Sequence, residues 1–143
     1  MKLFPRHRRA RRLERELGKG LWRQAYDRYI RGLDRYHQVI EGVADDETHN
    51  ALVHIGDELA EQLDEIYRLC RTAQAQHPAD GLHVPGRAVA LHSSLSRAAN
   101  HLATTAEAAA MVRLGHGELT AVRRRADQVL ACIAEASRPQ DEA

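Results

Sequence analysis

Seven side chains constrain this chain more than anything else in it. Trp22, Tyr26, Tyr29, Leu33, Tyr36, Ile40 and Val43 follow one another at alternating spacings of four and three residues. On an α-helix that spacing lines one face, a seam built to pack against other helices. The spacing predicts a helix over 21–43. No stretch alternates apolar and polar residues in a β-branched run, so strand signals are absent.

The same period recurs downstream. A seam of Leu52, Ile55, Leu59, Gln62, Ile66, Leu69 and Ala73 predicts one helix over 47–76. Ala88, Leu91, Leu95, Ala98, Leu102, Thr105, Ala109 and Val112 predict another over 87–114. Leu119, Val122, Ala126, Val129, Ile133 and Ala136 predict a last one over 117–136. Asp45 or Asp46 is expected to cap the 47–76 helix, and Gly115 to end the 87–114 helix. The Pro- and Gly-rich stretch 77–86 is the long loop. A shorter helix over 6–17 precedes all of these, followed by Gly18 and Gly20, which read as a hinge.

The fold expected is all-α: an antiparallel four-helix bundle, up-down-up-down, preceded by a short basic N-terminal helix. Its parts are a basic segment over 1–20, the bundle over 21–137 and a loose tail over 138–143. With 143 residues the chain has the length of one domain. No apolar run reaches the roughly 20 residues of a membrane span.

Charge is divided unevenly. Residues 1–15 carry seven basic side chains and one acidic, while the rest carries fourteen basic and nineteen acidic, so a basic head sits on a mildly acidic body. Leu3 and Phe4 stand before Arg6, Arg8, Arg9, Arg11 and Arg12. An apolar wedge beside a cationic cluster is a two-part recipe for an anionic membrane surface. Nucleic acid is the competing partner, because arginine arms neutralise phosphates without a motif. The head lacks interleaved aromatics, however, and no recognition helix follows it.

Two further sets of residues are candidates. Assigning heptad positions brings His37, Glu41, His49 and His116 toward one end of the bundle. Two histidines and a carboxylate suit Zn or Fe. The paired Glu-x-x-His of di-iron bundles is missing, so the first expectation is no cofactor. Trp22, Tyr26, Tyr29 and Tyr36 form an aromatic stripe whose polar tips need partners, with Gln62, Thr105 and His92 as candidates. The stripe reads as core packing, as a ligand-lining face or as a homodimer face.

Motifs for catalysis are absent: no Gly-rich phosphate loop, no nucleophile elbow, no HExxH. Cys70 and Cys132 match no metal or redox spacing and predict free thiols in a reducing compartment. Arg outnumbers Lys 19 to 2, a composition typical of GC-rich bacteria. The function expected is that of a non-enzymatic interaction protein, cytoplasmic or peripheral on the inner face of the membrane. It would bind a protein partner or itself. A metal- or cofactor-binding bundle and an Arg-armed nucleic-acid accessory protein are the alternatives.

Overall fold

The computed structural model describes residues 3–79 and 81–139. Residues 140–143 of the expected tail, and the side chains of Leu3 and Phe4, lie outside the described residues. The described chain is helical, without strands: α1 (Leu3–Leu17), α2 (Leu21–Ile40), α3 (Asp46–Glu61), α4 (Leu63–Gln76), α5 (Val89–Arg113) and α6 (Leu119–Ser137), with a 3-10 turn at Gly86–Ala88. None of these helices is long and apolar enough to cross a membrane.

The ends of the helices follow local chemistry. The Asp45 carboxylate accepts from the Thr48 amide at 2.9 Å and from the Thr48 hydroxyl at 2.7 Å, which caps α3. These bonds hold the Asp45 carboxyl below its ordinary pKa. At the far end of α5, Gly115 adopts a φ of 79°. Its amide donates to the Val112 carbonyl, and the His116 amide donates to Met111. That is the Schellman arrangement, and it turns α5 directly into α6.

The single helix expected over 47–76 is interrupted at one residue, Gln62, which separates α3 from α4. Gln62 keeps helical dihedrals, and its amide bonds the Leu59 carbonyl in a tight three-residue closure. The same carbonyl accepts the Tyr29 hydroxyl at 2.7 Å. A side chain that inserts into the ladder of a helix is a recognised cause of such a break.

The helices pack in two antiparallel hairpins. One joins α2 to α3 and α4, the other α5 to α6. In chain order α2, α3 with α4, α5 and α6 alternate in direction, while between the hairpins the neighbours run parallel. Trp22 meets His92, Arg28 bonds Asn100, and Gly32 lies against Leu102, so α2 and α5 advance together. Glu58 pairs with Arg123 and Glu65 bonds Ser137, so α3 and α4 advance with α6. Although α4 leads into α5, its close packing is on α2, α1 and α6. A connection of a dozen residues, at roughly 3.3 Å each, reaches across a bundle as readily as along its side.

Each seam turns inward. Leu33, Leu52, Leu59, Ile66, Leu102, Val122, Val129 and Ile133 form one continuous buried core with Trp22, Tyr29 and Tyr36. On α5 the buried positions are mostly small, among them Ala98, Ala106 and Ala109, which lets α2 and α6 approach closely on both sides. Cys70 and Cys132 are buried free thiols. Burial pushes the Cys70 thiol up to about 12, so it stays protonated and inert at neutral pH.

Candidate functional site

The basic head is a folded helix. Leu13 packs against the core, and Leu17 is completely buried. Gly18 then takes a φ of 75°, and a β-carbon there would meet the Gln74 side chain of α4 at 2.7 Å. Helix α1 rests on α4 and lies against α2.

This docking decides what α1 offers to a partner. At about 100° per residue, Leu13 and Leu17 share one face. Arg8, Arg11, Arg12 and Arg15 cluster within about a third of the circumference on the opposite side. All of them are exposed, as are Arg6 and Arg9. Every residue from Pro5 to Arg12 is exposed, including Ala10 on the Leu13 side. Few acidic groups counter this charge. Glu16 accepts from Arg12 at 3.4 Å, and Glu14 pairs with Lys19, which holds the Glu14 carboxyl below its ordinary pKa.

The body of the protein covers Leu13 and Leu17, so they dock on the bundle. Arg15 joins the outward face, although the cluster read from the sequence ends at Arg12. Its i+3 and i+7 spacing from Arg12 and Arg8 was the available signal.

The aromatic stripe is core rather than an open ligand face over most of its length. Trp22, Tyr29 and Tyr36 are buried, and Tyr26 is half-buried against Tyr67 with ring centroids 5.4 Å apart. The polar tips reach main-chain carbonyls rather than Gln62, Thr105 or His92. Trp22 Nε1 donates to His77 at 2.9 Å, the Tyr29 hydroxyl to Leu59, and the Tyr36 hydroxyl to Leu52 at 2.6 Å. Tyr29 and Tyr36 are one heptad apart, and so are their acceptors. Thr105 instead bonds the His101 carbonyl of its own helix. His92 sets its ring edge-on to Trp22, where burial lowers its pKa.

The histidine set does not assemble. Among the described residues no three His, Cys, Asp or Glu side chains converge to hold an ion. His37 lies across Gly56 and edge-on to Tyr36, with centroids 5.9 Å apart. Glu41 and His116 are exposed, and His49 is half-buried in the first turn of α3. On α6 the Arg123 guanidinium bonds Glu58 on α3 and Asp127 one turn along, while Arg124 and Arg125 are exposed.

Comparison with models of known families, with curated proteins and with solved structures finds no match.

Proposed function

We propose that this protein is a non-enzymatic interaction protein, a four-helix bundle held at an anionic membrane surface by the arginine face of α1. One observation carries the reading: four exposed arginines, Arg8, Arg11, Arg12 and Arg15, share the face of α1 opposite the apolar stripe that anchors it to the body, with Arg6 and Arg9 exposed elsewhere on the helix. Anchoring fixes the guanidinium groups in one array, so less conformational entropy is lost on binding than with a free tail. Each basic residue near an anionic leaflet contributes about 1 kcal/mol at best, reduced by salt. Four on one face therefore suffice for reversible attachment. With Leu13 and Leu17 covered, the arginine face supplies an electrostatic contact that lies flat on the headgroups, beside the apolar wedge of Leu3 and Phe4. The body remains to bind a protein partner or a second copy, on the cytoplasmic side where anionic lipids are concentrated.

Vesicle flotation tests this. Full-length protein is mixed with vesicles of phosphatidylcholine alone or with a phosphatidylserine fraction, at low and high salt. The expected result is flotation only with the anionic vesicles, lost at high salt. The triple substitution Arg8→Glu, Arg11→Glu and Arg15→Glu should weaken it on the order of tenfold or more. These side chains are exposed, so the fold survives, as circular dichroism would verify. Equal flotation with neutral vesicles, or indifference to the triple substitution, overturns the reading. No flotation together with salt-sensitive binding to single-stranded RNA overturns it in favour of a nucleic-acid arm.

A further inference from the structure

At the end of the molecule where α4 and α6 stop and α5 begins, the helices enclose a cleft of about 180 Å³. Its floor is apolar: Leu69 and Ala73 from α4, Ala88 and Leu91 at the start of α5, and Ala136 from α6. Its rim carries three arginines, Arg68, Arg87 and Arg138, and among the described residues no lining side chain is acidic. Arg68 is committed to Glu65, which also receives the Ser137 hydroxyl. The guanidinium groups of Arg87 and Arg138 have no hydrogen-bond or ion-pair partner among the described residues.

Helix ends also contribute charge there. The ends of α4 and α6 each bring about half a negative charge, and the start of α5 about half a positive one. Two unpaired guanidinium groups outweigh that balance several-fold, so the cleft is cationic over an oily floor. A cavity of roughly 150 Å³ is enough to hold benzene, so this one takes a molecule of about six to nine heavy atoms. A guanidinium binds a carboxylate through two parallel charge-assisted bonds.

We propose that this cleft binds a small organic carboxylate with a short alkyl or aryl body, its charge held by Arg87 and Arg138 and its body laid on Leu69, Ala73, Ala88, Leu91 and Ala136. None of the lining residues belongs to α1.

Titration of the isotopically labelled full chain with hexanoate, followed by amide NMR shifts, is the test. Hexanol and hexylamine serve as controls of similar size. Saturable one-to-one shifts centred on Leu91 and Ala136 are expected with hexanoate. Hexanol should bind on the order of tenfold more weakly, and hexylamine more weakly still. The exposed substitutions Arg87→Gln and Arg138→Gln together should weaken hexanoate about tenfold or more without altering the fold. Shifts that stay linear in hexanoate overturn the proposal, as does equal binding of hexanol. So does a double variant that binds hexanoate unchanged while melting earlier. In that case the two arginines serve only the carbonyl ends of α4 and α6.

Discussion

The buried tyrosines set an alkaline limit on this fold that can be worked out in advance. Tyr29 and Tyr36 are buried, and burial drives both phenols far above their ordinary pKa. In the unfolded chain a tyrosine ionises near pH 10. Above that pH the unfolded state has released its proton and the folded state has not, so stability falls as pH rises. The slope is about 1.4 kcal/mol per pH unit for each such group. The Tyr contribution is fully present below pH 10 and is lost throughout the alkaline range above it. Cys70 behaves in the same sense, starting from an ordinary value of 9.0 and held up to about 12. Lysine, which would blur this limb, occurs only twice, and arginine keeps its charge.

At about pH 11 the two tyrosines together cost about 2.7 kcal/mol, and Cys70 about as much again. The total, about 5 kcal/mol, compares with an expected stability of about 7 to 20 kcal/mol for 143 residues. The double substitution Tyr29→Phe and Tyr36→Phe removes two buried hydrogen bonds, which costs about 2 to 3 kcal/mol at neutral pH. It also removes the tyrosine part of the alkaline loss. The stability curves of the two proteins should therefore converge above about pH 10 and cross near pH 11. Urea unfolding followed by far-ultraviolet circular dichroism, repeated across the alkaline range, measures both curves. A gap that stays constant with pH would refute the reasoning, as would native-state phenolate absorbance showing all four tyrosines ionising near pH 10.

Two further substitutions probe the same seam. The Tyr67 hydroxyl is buried without a hydrogen-bond partner among the described residues, so Tyr67→Phe should leave stability within about 0.5 kcal/mol of the parent, or raise it, in the same urea assay. Gly56→Ala would place a methyl group 2.9 Å from the buried Tyr36 ring. Overpacking of about 1 to 3 kcal/mol should exceed the helix-propensity gain of about 1 kcal/mol, for a net loss. With Tyr36→Leu in place the sign should reverse, as a double-mutant cycle would show.

What the sequence made legible was whatever depends on spacing along one helix. The Trp22–Val43 seam, the Asp45 cap, the Gly115 turn and the 77–86 loop all follow from local rules. Partners across the core were not legible in the same way. Every residue owns a carbonyl, so nothing in the sequence marks Leu52 and Leu59 as the acceptors of Tyr36 and Tyr29. The break at Gln62 lies beside the carbonyl that accepts Tyr29, and that contact was hidden for the same reason. Heptad positions brought His37 and His49 to one end of the bundle, but heptad position says nothing of rotamer, and His37 turns onto Gly56. In the basic head the charge was legible and its direction was not, because facing requires knowing that Leu17 is buried. The Arg87 and Arg138 cleft is assembled from three helix ends and left no linear trace.

The connection from Gln76 to Val89 ties these features together. It leads away from α4 and delivers α5 beside α2, running parallel to it. Parallel neighbours place like helix ends side by side, which is mildly unfavourable. The arrangement is held by contacts that only this crossing provides. Trp22 Nε1 bonds the His77 carbonyl, and the Leu21 amide bonds Gly81, so the first turn of α2 grips the connection at two points. Gln74 stands between α1 and the connection, its side chain against Gly18 on one side and accepting the Ala79 amide on the other. The last turn of α4 thereby anchors the arginine helix and also contributes Ala73, Gln76 and His77 to the wall of the cleft. An antiparallel ring with a tight α4–α5 turn would keep the arginine helix but would lose the arrangement of helix ends that forms this cleft. The long Pro- and Gly-containing connection, the least regular part of the chain, is therefore what places two cationic features on one frame.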